Sequence, residues 1–465
     1  MGRNAAVEIK IAYIGGGSRG WARSVMTDLA LCPQFKGEMA LYDIEPIAAE
    51  LNVGVGQAIF QHREARTKFR VRACKTSAEA LKGADFVFLS ITPGPMRMFA
   101  NDIDIPARYG ILQPVADTTG PGGISRALRT IPTYVAYARE IMKICPHAWV
   151  INYTNPMTLC VSALYAAEPD IKAFGCCHEV FGTQHKLARL VEQYLKVPRP
   201  PRQEIQADVA GVNHFTFVPA ASWNGHDLYP LIARHIQTQG LWDDQTEFAL
   251  ESRARGRWFT SKGLIAYDFF RRFGVLGAAG DRHLAEFVPW YLTSEENLNR
   301  YGVILTPSLY RLSMWDARER DIAAYRQGKR AKPKIETLKR SGEEGINQLL
   351  ALAGLASLDT NVNLPNQGQM PDLPLGAVVE TNAQFRKDSV RPVVSKPLPA
   401  GVSELVRRVI ATQRLTLEAG LNKDKDLAFQ AILSDPLCRI PVDRAWAMFN
   451  EMLQANKAML PGWGL

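Results

Sequence analysis

The sequence predicts an α/β fold of the Rossmann type, with a doubly wound parallel sheet, followed by a second, α+β domain. Over residues 1–200, apolar segments that end in Gly, Pro, Asn or Cys alternate with segments of helical spacing, which is the pattern of βαβ units. The stretch 204–225 instead alternates polar and apolar residues, as antiparallel strands do. The chain of 465 residues also exceeds the roughly 250 to 300 residues at which a single core stops growing. We therefore predict two domains, 1–200 and 201–465.

The predicted elements of the first domain follow one another as strand, loop and helix. A strand over "VEIKIAYIG", residues 7–15, leads through a glycine loop into a helix over 21–31. A long amphipathic helix is predicted over 119–144, where "TGPGG" opens it, and its N-terminus is expected to face an anion. The other strands and helices of this domain are predicted, in order, at 37–45, 47–62, 69–74, 77–83, 84–94, 148–156 and 170–178.

The second domain is predicted to begin with the antiparallel sheet and to continue with helices near 255–273 and 285–300. The charged stretch 317–345 predicts a solvated helix and loop, and the stretch 358–376, rich in Asn, Pro and Gly, predicts a loop-rich connector. The tail over 403–438 has helical periodicity, and we expect its helices to pack back on the first domain.

The composition is that of an ordinary folded protein. Hydrophobic residues make up 47% and charged residues 22% of the chain, so neither a disordered nor a membrane class is indicated. The net charge of +9 does not indicate a nucleic-acid partner, because the longest basic clusters, such as 328–334, are interrupted by apolar residues or proline. Seven cysteines without a repeated paired spacing predict reduced thiols in a cytoplasmic protein, and the short apolar N-terminal run predicts neither a signal peptide nor a membrane span.

A GxGxxG motif lies directly between the first strand and the first helix. Gly15 permits a tight turn, Gly17 lets the backbone approach a pyrophosphate, and Gly20 lets helix and strand pack closely. Asp43 ends the next strand, where a carboxylate bonds the ribose hydroxyls and repels the 2′-phosphate of NADP. A tight turn followed by a strand-end acid is the alternative explanation. We predict NAD as the cofactor, contacted by Gly15, Gly16, Gly17, Ser18, Gly20 and Asp43.

Two further segments bring metal-ligand residue types to the predicted sheet ends. Cys177 and His178 follow a strand, and His214 comes from the second domain in "VNHF". Thiolate and imidazole are metal ligands, but two such groups do not define a site. Taken alone, Cys177 also fits a buried inert thiol, His214 a core histidine, and Asn155 in "TNP" a turn former.

The motifs "IGGGS", "ADTTGPGGISRAL", "NYTNPM", "CCHEV" and "GVNHF", in this order over nearly the whole chain, together resemble glycoside hydrolase family 4. That family has a fold like that of lactate and malate dehydrogenases and cleaves glycosidic bonds with NAD and a divalent metal, commonly manganese. The tetrapeptide "CHEV" is similar to the subgroup that acts on α-galacturonides, whereas other subgroups act on α-galactosides or phosphorylated glucosides. The resemblance implies that the metal ligands are Cys177 and His214. It also implies that the sugar hydroxyls are contacted by Asn155 and His178.

The resemblance also implies catalytic residues. In "AYDFFRRFG", Asp268 falls at the position of the catalytic base, and Tyr267 is the alternative because β-specific members carry Tyr there. An acid in the first turns of a helix is the other explanation for Asp268. Asp117 in "VADTTGPGG" falls where the family places a carboxylic acid near the leaving group, although a capping role also fits it.

The α-galacturonide reading predicts arginine in the substrate pocket. A galacturonide carries a carboxylate on ring carbon 5, and the guanidinium fork matches a carboxylate bidentately. The candidates lie in loops around the predicted site, and each also fits a solvated surface residue: Arg97, Arg126 and Arg282, with His283 beside the last.

The implied chemistry joins the nicotinamide and metal sites in one reaction. Sugar carbon 3 is oxidised by NAD, the ketone is polarised by the metal, and a base removes the proton on carbon 2. The group on carbon 1 then leaves, water adds, and the hydride returns. Two alternatives remain, namely an NAD-dependent sugar dehydrogenase and a non-catalytic NAD-sensing protein. The resemblance implies a homodimer or homotetramer, and the sequence leaves the aglycone and the preferred metal open.

Overall fold

The structure is a computed structural model that describes residues 6–239, 241–329 and 333–465. Its first half supplies six parallel strands that alternate with helices, as the sequence predicts. The strands are β1 (Val7–Ile14), β2 (Phe35–Tyr42), β3 (Phe69–Ala73), β4 (Phe86–Leu89), β5 (Trp149–Asn152) and β6 (Ala173–Gly175). The helices are α1 (Trp21–Ala30), α2 (Pro46–Gln61), α3 (Ser77–Leu81), α4 (Met96–Arg108), α5 (Gly120–Ile144), α6 (Met157–Ala167) and α7 (Glu179–Leu195).

The second half begins with an antiparallel sheet, again as predicted. Its strands are β7 (Gln206–Val212), β8 (Phe215–Trp223), β9 (His226–Asp227) and β10 (Leu276–Gly277), with β8 between β7 and β10. Helices of this half are α8 (Tyr229–Thr238), α9 (Thr246–Ala254), α10 (Leu264–Phe273), α11 (Asp281–Leu284), α12 (Glu295–Arg300), α13 (Ser308–Arg326) and α14 (Gly345–Leu352). The C-terminal helices are α15 (Ala400–Asn422), α16 (Lys425–Ser434) and α17 (Val442–Asn456).

The predicted connector over 358–376 is wrong for its first part, which forms a strand. Strands β11 (Leu358–Pro365), β12 (Val378–Arg386) and β13 (Ser389–Pro392) are antiparallel to one another. They extend the first sheet through the pairing of Asn363 with Gly175, giving nine strands in the order β13-β12-β11-β6-β5-β4-β1-β2-β3. The Asn-rich composition suggested a loop, but burial of residues 361–364 against the sheet overrides it. The main sheet therefore contains strands from both sides of residue 200.

The C-terminal helices pack on the first half, since α15 lies against α5 and α6 and α17 against α4. The N-terminus of α5 does meet an anion, but one from the protein itself. Asp435 accepts hydrogen bonds from the Gly120 amide at 2.9 Å and from Thr119 Oγ1 at 3.2 Å. The expectation of a ligand anion at this helix end is thus replaced by an internal carboxylate.

None of the described helices is long and apolar enough to cross a membrane. The basic cluster 328–334 includes residues 330–332, which lie outside the described residues.

Candidate active site

The glycine loop between β1 and α1 is tightly packed at its first three glycines. Gly15 has φ +90°, and a Cβ there would lie 2.0 Å from the Ser90 carbonyl oxygen. A Cβ on Gly17 would lie 2.7 Å from Asp43 Oδ2, which accepts the Gly17 amide at 2.9 Å. A Cβ on Gly20 would meet no atom within 4 Å, so the expected packing role of Gly20 is wrong. The glycines that pack closely against neighbouring atoms of the protein are instead those just after β1, Gly15 to Gly17.

Two residues that sequence reasoning missed support this loop. The buried Asn52 of α2 donates to the Gly16 carbonyl at 2.7 Å and to the Ser18 carbonyl at 2.8 Å. Arg318 of α13 lies 3.4 Å from Asp43 Oδ1. Asn52 fixes the path of the loop backbone, and Arg318 brings a cation from the second half to the carboxylate expected to contact ribose. Neither residue lies in a recognisable motif.

His214 lies in the two-residue turn between β7 and β8, where Val212 pairs with Phe215. Its φ of 65° is in the left-handed region, which costs a non-glycine residue on the order of 1 kcal/mol. Thr118 Oγ1 donates to Asp117 Oδ1 at 2.7 Å and lies 2.9 Å from Nδ1 of His214. A hydroxyl has one hydrogen, so Nδ1 of His214 donates to the Thr118 oxygen, and Nε2 keeps a lone pair for a cation.

Asp117, His214 and His283 come together as one cluster. One potential ligand atom of each residue lies within 4.8 Å of the others, and the two imidazole centroids are 3.8 Å apart. Burial lowers the pKa of His214 to about 3, and burial likewise lowers that of His283. Burial acts to raise the pKa of Asp117, but His283, His214, Arg126 and Arg311 outweigh it and hold the pKa at about 2. The two guanidiniums therefore act together with the imidazoles in favouring the ionised carboxylate. The low pKa favours an ionised Asp117, and its role as an acid near the leaving group stays a prediction.

Cys177 follows β6 and is buried, but its sulfur is not one of the three clustered groups. Burial, then the charges of Glu380 and Glu179, raise the pKa of its thiol well above the usual value, against a hydrogen bond from Asn213. A divalent metal would deprotonate this thiol on binding. Beneath it lies a polar network that the sequence did not indicate: Glu380 of β12 accepts from Asn213 at 3.1 Å and from Asn361 at 2.7 Å.

The two expected sugar contacts lie at the carboxyl ends of β5 and β6. Oδ1 of Asn155 is buried and has no hydrogen-bond partner among the described residues. The His178 side chain is 48% exposed, with Nδ1 3.3 Å from Glu343 Oε1 and its ring 5.7 Å from that of Trp21. Both residues keep polar atoms available to a ligand.

The expected base Asp268 is buried and fully engaged elsewhere. Its two carboxylate oxygens accept from Arg271 at 2.8 Å, Arg272 at 2.8 Å and the Tyr291 hydroxyl at 2.9 Å. The carboxylate therefore has structural partners on and beside α10, and its role as the base stays a prediction. Tyr267 packs beside the His235 ring at 5.3 Å, and burial raises the pKa of its phenol to about 12.

The three arginine candidates differ in their surroundings. Arg97 is exposed at the start of α4. Arg282 donates to the carbonyls of Ile304 at 3.1 Å and Pro114 at 2.7 Å, and also to Thr306 Oγ1. Its Nε and Nη2 therefore serve loop structure, and its role in binding a carboxylate stays a prediction. Arg126 is buried beside Asn155, to whose carbonyl its Nε donates at 2.9 Å.

Two glutamates hold the segments of the cluster together. Glu179, the acid of "CHEV", accepts the Gly280 amide at 2.7 Å and lies 3.9 Å from Nε2 of His283. Glu286 accepts the amides of Val115 at 2.7 Å and Ala116 at 2.9 Å, just before Asp117. Glu179 thus links the end of β6 to the His283 segment, and Glu286 links that segment to the loop before α5.

Fold and site together define a class of protein: a Rossmann-type fold with a glycine loop after its first strand and a cluster of potential metal ligands from separate segments. The Family 4 glycosyl hydrolase profile matches residues 10–193, and the Family 4 glycosyl hydrolase C-terminal domain profile matches residues 209–438. The chain belongs to family 4 of the glycosyl hydrolases, which confirms the resemblance drawn from its motifs.

Individual relatives span nearly the whole chain. An alpha-galacturonidase of Thermoanaerobacterium saccharolyticum is 46% identical over 462 residues, which cover 98% of this chain and 97% of the relative. A crystal structure of a Bacillus subtilis protein described as a glucosidase has a TM-score of 0.84 and 42% identity, covering 96% of this chain and 100% of that one. A Thermotoga maritima 6-phospho-beta glucosidase, solved with manganese, NAD+ and glucose-6-phosphate, shares the fold with a TM-score of 0.74 at 21% identity, covering 97% and 99%.

Proposed function

We propose that this chain hydrolyses α-galacturonides with the help of NAD and a divalent metal ion. The observation that carries the proposal is the 46% identity, over nearly the full length of both chains, to an alpha-galacturonidase. The geometry supports it, because a glycine loop follows β1, Asn155 and Cys177 follow β5 and β6, and a separate cluster of potential metal ligands is present. Manganese is the proposed metal, as in the more distant Thermotoga structure.

The residues present fit both groups. Gly15 and Gly17 hold the tight turn after β1 that a pyrophosphate-binding loop needs, and Asp43 offers a carboxylate to the ribose, as in other dinucleotide sites. For the metal, Nε2 of His214 carries a lone pair, Nδ1 of His283 has no partner among the described residues, and Asp117 is ionised. We propose Cys177 and His214 as ligands, with Asp117 and His283 in reach of the same ion.

The protein groups divide the remaining tasks. Asn155 and His178 are proposed to orient the sugar so that carbon 3 faces the nicotinamide and its oxygens face the cation. When bound, NAD supplies a reversible hydride acceptor and the metal supplies a Lewis acid. The resemblance implies two alternative bases, Asp268 and Tyr267. Because Asp268 is held by three donors, we propose Tyr267 as the base. Exchange of the proton on sugar carbon 2 with solvent tests this choice.

The experiment is a substrate panel in the presence of NAD, manganese and a thiol reductant. Aryl α-glycosides of galacturonate, galactose, glucose and glucose 6-phosphate are compared by kcat/KM. The proposal expects the galacturonide to be cleaved at least tenfold faster than the others, and equal or better cleavage of another sugar contradicts it. Accumulation of reduced NAD would favour a dehydrogenase, and no turnover on any sugar would favour a binding protein.

The setting and assembly also belong to the proposal. A metal-binding Cys177 requires a reducing, cytoplasmic environment, and all seven cysteines are free in the structure. A homodimer or homotetramer is proposed from the family resemblance, and light scattering during gel filtration tests it.

A further inference from the structure

Two guanidiniums, that of the buried Arg126 and that of the partly buried Arg311, lie on one aromatic ring. The Cζ of Arg126 is 4.7 Å from the centre of the Phe99 ring, and the Cζ of Arg311 is 4.4 Å from the same centre. Arg126 comes from α5 and Arg311 from α13, so the pair is assembled only by folding. Arg311 lay outside every motif that the sequence offered.

Both guanidiniums retain hydrogen-bond donors. Arg126 is 6% exposed and donates through Nε to the Asn155 carbonyl, while its buried Nη1 has no partner among the described residues. Arg311 donates through Nη2 to the Val115 carbonyl at 3.2 Å, and its buried Nε likewise has none within the described ranges. A buried donor left unpaired costs about 1 to 3 kcal/mol, and more when it is charged. These donors are thus suited to an acceptor supplied from outside the chain.

A neighbouring arginine shows what a satisfied guanidinium looks like here. Arg129, one turn after Arg126, forms a buried ion pair with Asp102 at 2.5 Å. Across the part of the chain that the structure describes, no ion pair joins Arg126 or Arg311 to a carboxylate within 4.0 Å. The carboxylate that most favours the charged form of both guanidiniums is Asp117, which accepts from Thr118 and clusters with two imidazoles. Two cations therefore share one anion that also belongs to the cation-binding cluster.

We infer that Arg126 and Arg311 bind the ring carboxylate of the substrate, an inference that rests on the proposed function. Arg126 is anchored to Asn155, a proposed sugar contact, so the pair borders the place where the sugar lies. A carboxylate accepts hydrogen bonds from both forks and balances the excess positive charge, whereas the neutral hydroxymethyl group of a galactoside leaves the charge uncompensated. The pair thus determines specificity, in place of Arg282.

The test compares Arg311→Met, Arg311→Lys and Arg126→Met with wild type, all loaded with NAD and manganese. We expect the methionine variants to lower the ratio of kcat/KM for the aryl α-galacturonide to kcat/KM for the galactoside by tenfold to hundredfold. Lysine keeps the charge but loses the fork, so Arg311→Lys should lie between wild type and Arg311→Met. Arg320→Met, an exposed arginine on the same helix, is the matched control and should keep the wild-type ratio.

Binding of free galacturonate and free galactose, measured by calorimetry, gives a readout that does not need turnover. A galacturonate preference in wild type that Arg311→Met removes supports the inference, even if the substrate panel refutes the hydrolase proposal. The inference is overturned if both methionine variants fold and keep the wild-type preference, if wild type has no preference, or if Arg97→Met removes it instead. Thermal unfolding confirms folding, and Arg311→Lys replaces Arg311→Met if the latter does not fold.

Discussion

The dinucleotide loop and the cation-binding cluster are built in opposite ways. Gly15, Gly17 and Asp43 belong to one βαβ unit, and hydrogen bonds within that unit join them. Asp117, His214 and His283 come from three separated segments that meet only in the folded chain. The first region is therefore specified by local spacing, and the second by long-range packing through Glu179 and Glu286. Changes in the loop should act on NAD alone, whereas changes in the cluster should act on metal and turnover together.

The largest expected effect is loss of the metal. Cys177→Ser, His214→Ala or a chelator should each reduce turnover by at least about a hundredfold, because a ligand and the Lewis acid are lost. Metal content after dialysis should fall in parallel while NAD affinity stays within about threefold. Full turnover of metal-free protein in chelator would refute the metal assignment.

Changes in the dinucleotide loop should weaken NAD binding and leave the metal content unchanged, which is the reverse of the pattern expected for the metal ligands. Asp43→Ala removes the acceptor for the Gly17 amide and the expected ribose contact, so NAD binding should weaken roughly tenfold to hundredfold. Discrimination against NADP should shrink, since Arg318 then meets the 2′-phosphate without its partner. Fluorescence titration with both nucleotides measures this, and metal content should not change. An unaltered NAD to NADP preference would contradict the role of Asp43.

A third comparison separates the two candidate bases. Asp268→Asn should lower the free energy of unfolding by about 1 kcal/mol, a small value because Arg271 and Arg272 are about half exposed. It should not block exchange of the carbon 2 proton with deuterium oxide, because its oxygens serve α10. Tyr267→Phe is the paired variant, and NMR of recovered sugar reads the exchange. If Asp268→Asn alone stops exchange, the structural assignment of Asp268 fails.

A last prediction concerns stability alone, as a pH dependence of unfolding that arises at the N-terminus of α5. Burial raises the pKa of Asp435 to about 6 in the folded protein, against hydrogen bonds from Leu437, Gly120 and Thr119. The folded state therefore holds the proton more tightly than the unfolded state, so this group lowers stability as pH rises from about 4 to about 6. Urea unfolding should show a steeper decline over that window in wild type than in Asp435→Asn. Equal slopes would contradict the shift.

The contrast between the regions also explains what the sequence could predict. The parallel sheet, the antiparallel second half and the family were predicted correctly, because periodicity and motif order are local signals. The strand β11 was missed because Asn361 and Asn363 suggest a loop until the sheet buries them.

Side-chain partners were less predictable than backbone elements. The sequence predicted Asp268 as the base and Arg282 as a candidate for binding the substrate carboxylate, and the fold gives both of them structural partners. Arg311 was missed because it lies in a helix without a motif. Asn52 and Glu380 were missed for the same reason: what they do depends on residues far away in the sequence.

The central claim is that the dinucleotide loop and the cation-binding cluster serve one reaction. Its most direct test measures the redox state of NAD during hydrolysis in deuterium oxide. Purified protein with manganese, reductant and one equivalent of NAD receives an excess of aryl α-galacturonide. We predict many turnovers per NAD, no accumulation of reduced nicotinamide, and galacturonate that carries deuterium on carbon 2. Hydrolysis that proceeds without NAD, or one reduced nicotinamide released for each sugar cleaved, would contradict the proposed chemistry.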